Sequence, residues 1–364
     1  METEVVSMTL SMLNGNSQCA GSLTSGGTES ILMAVKSYRD RARALYPHIT
    51  NPNMVAAQTV HPAFEKAAHY FNIEVIHVAV NDSDARMNIE ATSNAINAST
   101  ILLVGSAPQY PHGVIDPIEE LAQLALKHSL PLHVDACFGG FMLPWVEKIG
   151  YKVPLWDFRV EGVTSISADI HKYGYSSKGA SVISYSSEEY RSYQYFAYAE
   201  WPGGLFGSPS LTGKYYVYIP CIVDRITLSL YPTYSYILIY TLFYTYSSIY
   251  THISTHVHSY VGSRPGGMIA SAWIIMNAIG QDGYKALATK IMKTTGQLTD
   301  ALETIPELSV RAKPNMTSMA IMSNDKNVSI LAVADVMDGY GWKMERQQLP
   351  DSLHLTMMPH HAHV

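Results

Sequence analysis

The sequence predicts an α/β fold: a mostly parallel sheet with helices on both faces, followed by a smaller C-terminal α+β domain. Three observations predict it. Short β-rich runs alternate with helical periods from Met54 to Ser167. Residues able to do chemistry fall just after several of those β runs. A Ser/Gly/Gly/Thr turn opens a helix upstream of them. Alternation of this kind implies parallel strands with helices crossing over, and such sheets bind ligands at the carboxyl ends of their strands.

The elements follow in order. Residues 1–14 read as a helix, with Val5, Val6, Met8, Leu10 and Leu13 apolar. A turn over Gly21 to Ser30 leads into a helix on which Ile31, Leu32, Val35, Tyr38 and Ala42 recur at helical spacing. Strands are expected at Met54 to Gln58, Ile73 to Val80, Thr100 to Gly105, Leu132 to Asp135 and Val163 to Ser167. Helices are expected at His61 to Phe71, with Pro62 at its first position, at Asn88 to Ile96, and at Asp116 to His128. For the last, Asp116 is the expected N-cap, with Pro117 next and Glu119 and Glu120 in the first turn. Gly179 to Tyr185 is another β run, residues 186–200 a polar, tyrosine-rich helix, and 201–213 a loop. Helices then run over Met268 to Ile279 and from about Asp282 to Ile305. Short strands near Leu308 and Met319, a helix near Ile330 to Met337 and a strand near Leu353 to Met357 make the second αβ set.

Composition narrows the class. The chain has 364 residues, 47% hydrophobic and 15% charged, with net charge −6. That is enough chain for about two domains of roughly 150 residues each. The mildly acidic balance argues against a nucleic-acid binder, which carries a basic footprint. Cys19, Cys137 and Cys221 are odd in number and far apart, so they suggest neither a disulfide framework nor a zinc site but a reducing compartment. Glu2 and Glu4 stand where a secretory leader would be basic, and no clean run of about 20 apolar residues occurs.

The chemistry gathers at strand ends. Lys172 follows the run ending at Ser167 and precedes the run starting at Gly179. A partly desolvated lysine amine is suited to attack a carbonyl and form a Schiff base. Asp135 closes its strand, the loop Ser106 to Gly113 follows another, and His61 lies just beyond the strand ending near Gln58. The turn at Gly26, Gly27 and Thr28 suits an anion, because glycines admit it to backbone N–H groups and a helix N-terminus favours negative charge. Each feature alone has a plainer reading: a helix cap for the turn or for Asp135, a solvated loop residue for His61, a satisfied core histidine for His133. No third ligand joins His133 and Asp135, and the tail His360-His361-Ala-His363 reads as a ragged end, so no metal site is expected.

Ser-Gly-Gly-Thr before a helix, His133-Val-Asp-Ala136, and Ser165-x-Ser-x-Asp-x-His-Lys172 in this order resemble the group II decarboxylase-like, fold-type I enzymes of pyridoxal phosphate. Four longer stretches resemble the sphingosine-1-phosphate lyase family among them: Thr24 to Met33, Pro108 to Asp116, Val163 to Tyr175, and Gly262-Ser-Arg-Pro-Gly-Gly267. The resemblance runs through residues 1–213 and resumes at 262–359. It implies pyridoxal 5'-phosphate as cofactor, held covalently by Lys172, with Asp135 on the pyridine nitrogen and His61 stacked on the ring. Gly26, Gly27 and Thr28 would take the phosphate, Ser167 and His171 would flank the cofactor, and Ser263 would reach it from a partner subunit in a homodimer. The implied reaction is retro-aldol cleavage of a phosphorylated long-chain base to an aldehyde and phosphoethanolamine, at the cytosolic face of the endoplasmic reticulum membrane. An amino-acid decarboxylase and a non-catalytic piece of the lyase stay as alternatives, since Ser-x-x-His-Lys alone does not separate them.

The same resemblance divides the chain into a large cofactor domain over 1–213, connecting helices over 262–304 and a small domain over 305–364. It also implies that the family carries a lumenal tail, a membrane-spanning helix and further catalytic sequence ahead of Met1, and a helical segment after the last residue here. Residues 214–261 depart from it. They hold 11 of the chain's 25 tyrosines, and the family joins the flanking segments through one glycine. Gly213-Lys-Tyr can be encoded as GGT AAG TAT, with a 5′ splice signal, and Val261-Gly can end on a 3′ AG. A retained intron is therefore expected here, against the alternative of a β-rich insertion.

Overall fold

The computed structural model describes residues 1–211 and 266–363. The tyrosine-rich segment 214–261 and Ser263 lie outside them. The chain divides into two compact units, Met1–Tyr193 with Pro265–Val364, and Gln194–Arg264.

The first unit is built on a seven-stranded sheet. Its strands are β1 (Ala20–Thr24), β2 (Asn53–Ala57), β3 (Glu74–Val78), β4 (Thr100–Ser106), β5 (Leu132–Asp135), β6 (Val163–Asp169) and β7 (Ser181–Tyr185), in the spatial order β1-β7-β6-β5-β4-β2-β3. β2 to β6 are parallel, as expected; β7 runs antiparallel to both β6 and β1. Helices are α1 (Glu2–Met12), α2 (Gly27–Leu45), α3 (Ala63–Phe71), α4 (Ile89–Ala95), α5 (Ile118–Lys127), α6 (Leu143–Lys148) and α7 (Glu188–Ser192). Alternate strand residues face opposite layers, as the two-residue period of a strand requires. Met54, Ala56, Leu102 and Val104 pack with α2 and α3, while Val55, Ala57 and Leu103 pack with α5 and α6. Both faces are thus covered, which is why these strands read as continuous apolar runs.

Next comes the helical stretch α8 (Gly266–Glu303), which is interrupted at Gly280 by non-helical backbone, φ 59° and ψ 178°, so the two expected helices are both present, one on each side of it. A second, four-stranded sheet follows: β10 (Leu308–Val310), β11 (Ser318–Ser323), β12 (Glu345–Gln347) and β13 (Ser352–Thr356), in the order β10-β11-β13-β12, with α9 (Ile330–Gly339) packed on it. Among the described residues no helix is long and apolar enough to cross a membrane. In the second unit, β8 (Phe196–Tyr198) and β9 (Phe206–Ser208) form a hairpin.

Several expectations need correction. Residues 186–200 are not one helix: only Glu188–Ser192 is helical. Asp116 does not cap α5. Its carboxylate accepts the N–H groups of Ser106 and Met87, at 2.8 and 3.0 Å, and Pro117 occupies the cap position. β1, α6 and β12 are additions to the expected elements, as are β8, inside the expected helix over 186–200, and β9, inside the expected loop over 201–213.

Candidate active site

The sheet order explains why the chemistry converges. β6, β5, β4 and β2 are successive neighbours and parallel, so their carboxyl ends lie side by side. Asp135 is paired in register with Ser106 on one side and Ser167 on the other. β7 is reversed, which brings its first residue, Ser181, level with Asp169 at the end of β6. Thr24 at the end of β1 is level with Ser181 in turn. Two strand reversals therefore deliver Gly26, Gly27 and Thr28, at the start of α2, to the same end of the sheet as Lys172. Hydroxyls tie this corner together: Thr24 Oγ1 to Ser30 Oγ at 2.7 Å, and Ser30 Oγ to Ser181 Oγ at 2.8 Å.

Lys172 sits in the tight turn after β6. Gly174 closes that turn, and a Cβ there would stand 2.4 Å from the Ile170 carbonyl oxygen. The Lys172 Nζ lies 3.1 Å from Asp169 Oδ2, with a third of the lysine side chain exposed and Asp169 buried. Burial works against the ammonium, but Asp169, then Cys137 and Asp135, outweigh it, so the lysine is held above its usual range. His171 donates from Nδ1 to the Ala180 carbonyl at 2.8 Å, which turns Nε2 toward Asp169 Oδ2, 3.6 Å away. The Phe138 ring lies 5.9 Å from the lysine nitrogen, and Tyr110 packs edge-on against Phe138 and stacks on His354 at 4.1 Å. Tyr110 donates its hydroxyl to Glu345, so the small sheet reaches the loop Ser106 to Gly113.

Asp135 is fixed from beneath. Its Oδ1 accepts the Cys137 N–H at 3.0 Å and the Ser167 hydroxyl at 3.2 Å. Ser167 Oγ also lies 3.3 Å from His133 Nε2, His133 Nδ1 is 2.8 Å from Ser165 Oγ, and Tyr38 donates to Ser165 at 2.7 Å. Burial holds His133 down to about 4, so its imidazole is neutral in this network. It is the satisfied core histidine that its place inside a strand suggested.

The structure brings together Asp135, Ser167, His171, Lys172, Gly26 and Gly27. Thr28 is exposed on the first turn of α2. His61 is exposed beyond β2, where its Nδ1 accepts the Ala63 N–H at 3.1 Å; among the described residues no hydrogen bond joins it to Asp135, Asp169 or Lys172. Two further residues belong to the site. Asp169 contacts both His171 and Lys172, and Cys137 is buried near Asp135 and Asp169, its thiol pushed up by burial and by both carboxylates. The Asp-x-His-Lys spacing is the signal for Asp169, since an acid and a lysine three positions apart meet across one turn.

The geometry is that of a lysine and a strand-end carboxylate beside a helix N-terminus, and comparison with known proteins agrees. Residues 1–192 match the family described as the pyridoxal-dependent decarboxylase conserved domain. Sphingosine-1-phosphate lyase 1 of Rattus norvegicus is 40% identical over 358 residues, covering 98% of this chain and 54% of the relative. Sphingosine-1-phosphate lyase of Oryza sativa is 40% identical over 367 residues, covering 100% and 58%. The chain thus spans somewhat over half the length of the curated relatives it matches. Among solved structures, the sphingosine-1-phosphate lyase of Burkholderia pseudomallei superposes with a TM-score of 0.83 at 36% identity, over 99% of this chain and 72% of that one.

Proposed function

This chain belongs to the pyridoxal-dependent decarboxylase family, among its sphingosine-1-phosphate lyases, and from that premise we propose that it performs the retro-aldol cleavage of sphingosine 1-phosphate or its dihydro form. The products are a long-chain aldehyde and phosphoethanolamine, and the cofactor is pyridoxal phosphate. The observation that carries the reading is the grouping of Lys172, His171 and Asp135 at adjacent carboxyl strand ends, next to the start of α2.

The residues fit this cofactor. Lys172 is an amine with an opening to solvent, Asp135 is a carboxylate whose Oδ1 already has two donors, and Asp169 Oδ1 is buried without a hydrogen-bond partner among the described residues. Gly26 has φ 149°, a backbone state that favours glycine, and a Cβ there would meet only His171 at 3.7 Å. Lys172 would hold the cofactor through its amine, Asp135 its ring nitrogen, Gly26 to Thr28 its phosphate, with His61 over the ring and His171 and Ser167 alongside. Bound pyridoxal phosphate supplies an electron sink for the breaking carbon–carbon bond.

The chain's own residues do the rest. The Cys137 N–H and the Ser167 O–H fix the orientation of the Asp135 carboxyl, and a carboxylate set opposite a ring nitrogen would hold a proton there. Neutral His133 orients Ser167 without adding charge. The Phe138 ring lies beside the Lys172 amine and is itself held edge-to-face by Tyr173 at 5.5 Å.

The same reading makes the protein a homodimer working at the cytosolic face of the endoplasmic reticulum membrane. Its support is the resemblance of Gly262 to Gly267 to a loop that serves the partner's site, and size-exclusion mass tests it. For the reaction, the chain is incubated with pyridoxal phosphate and dihydrosphingosine 1-phosphate. Aldehyde and phosphoethanolamine in equal amounts are the expected result. Carbon dioxide release from amino acids, without aldehyde, would sink the proposal.

A further inference from the structure

Asp169 stands where two parts of the site meet. It closes β6 with 2% of its side chain exposed. Oδ2 faces both Lys172 and His171, while Oδ1 is buried with no hydrogen-bond partner among the described residues. A Cβ on Gly27 would stand 2.7 and 2.8 Å from its two oxygens, so the carboxylate presses on the first turn of α2, the positive end of a 19-residue helix. Among the described residues, the groups that act on the Lys172 amine are Asp169 from its own turn, with His171 on the same carboxylate oxygen, and Asp135, Cys137 and the Phe138 ring from the end of β5 and the turn after it. Among the described residues, Asp169 is the one carboxylate with a direct ion pair to it.

We propose that Asp169 is a positioning residue that parks Lys172 as an ammonium at the end of β6, so that the lysine condenses with an aldehyde only after giving up that proton. The inference rests on Lys172 being the cofactor lysine. The step balances simply. The ammonium releases a proton to solvent, the freed electron pair adds to the aldehyde carbon, a carbon–nitrogen double bond forms, and the carbonyl oxygen leaves as water. Removing the Asp169 charge makes the neutral amine available at lower pH.

The test uses pyridoxal, which lacks the phosphate and so reports the amine apart from anion binding. The rate of borohydride-trapped attachment at Lys172 is followed by peptide mass across about pH 6 to 11, a range that spans the usual lysine value. In the wild type the rate should climb and level off only above that value. Asp169→Asn should move the profile to lower pH, and a profile displaced by one pH unit runs about tenfold faster at neutral pH. Asp169→Glu, which keeps the charge, should stay near the wild-type profile. An Asn variant labelled at Lys172 on the wild-type profile overturns the proposal. Should that variant not fold, a wild-type profile that levels off at the ordinary lysine value overturns it alone. Wild-type labelling at other lysines but not Lys172 overturns the cofactor-lysine reading, and the proposal with it.

Discussion

The carboxylate of Asp169 packs against the Cα of Gly27: a methyl group added there would lie 2.7 and 2.8 Å from its two oxygens and 2.9 Å from Cys137 Sγ. Gly27 is therefore required by a close approach within the chain, whatever anion α2 also binds. Gly27→Ala should cost about 1–3 kcal/mol, as overpacking does. Gly296→Ala, in α8 with nothing within 4 Å of the added atom, should instead gain about 0.5–1 kcal/mol. Urea denaturation of both variants checks the pair; equal effects would contradict the packing argument.

Asp135→Asn should leave the fold intact, because an amide oxygen can still accept from Cys137 N–H and Ser167 O–H. Turnover should fall on the order of 10²-fold, the size of losing one preorganised electrostatic partner. Near-normal turnover at wild-type pyridoxal phosphate occupancy would remove Asp135 from its role.

Acid should weaken the fold through its buried histidines. Burial holds His133 and His112 down to about 4 in the folded chain, while the unfolded chain takes up those protons near 6.5. Between these values the unfolded state binds more protons, so stability falls as pH drops from about 6.5 to about 4. Asp116, raised to about 6 by burial, acts the opposite way over the lower part of that window and offsets part of the loss. His133→Gln should flatten the acid limb of a melting-temperature profile. An unchanged limb would mean that His133 does not titrate as its burial demands.

Residues 214–261 are proposed to be a retained intron. Sequencing the transcript should find Gly213 or Gly262 as the single glycine codon joining Thr212 to Ser263. Transcripts carrying all 48 intervening codons would establish the segment as part of the protein.

The central strands were legible because they are buried on both faces, so Leu102-Leu-Val104 and its like stand out as apolar runs. β1 was not: Ala20-Gly-Ser-Leu-Thr24 has weak strand propensity and becomes a strand by pairing with β7. Asp116 misled for a similar reason. It has the composition of a cap, but its partner Met87 lies on a distant segment that no local pattern reveals. In the site, Lys172, Asp135 and the glycine turn could be read from residue type and strand-end position. The spacing to Lys172 marks Asp169 as its neighbour, but the contact of Asp169 with Gly27 could not be read, because two strand pairings bring the two together.

The central claim is that Lys172 is the lysine that holds pyridoxal phosphate. The direct measurement is borohydride reduction of the chain with bound pyridoxal phosphate, followed by peptide mass analysis. The account predicts one dominant adduct, on the peptide containing Lys172, and its disappearance in Lys172→Ala. A dominant adduct on another lysine, unchanged by that substitution, would contradict it.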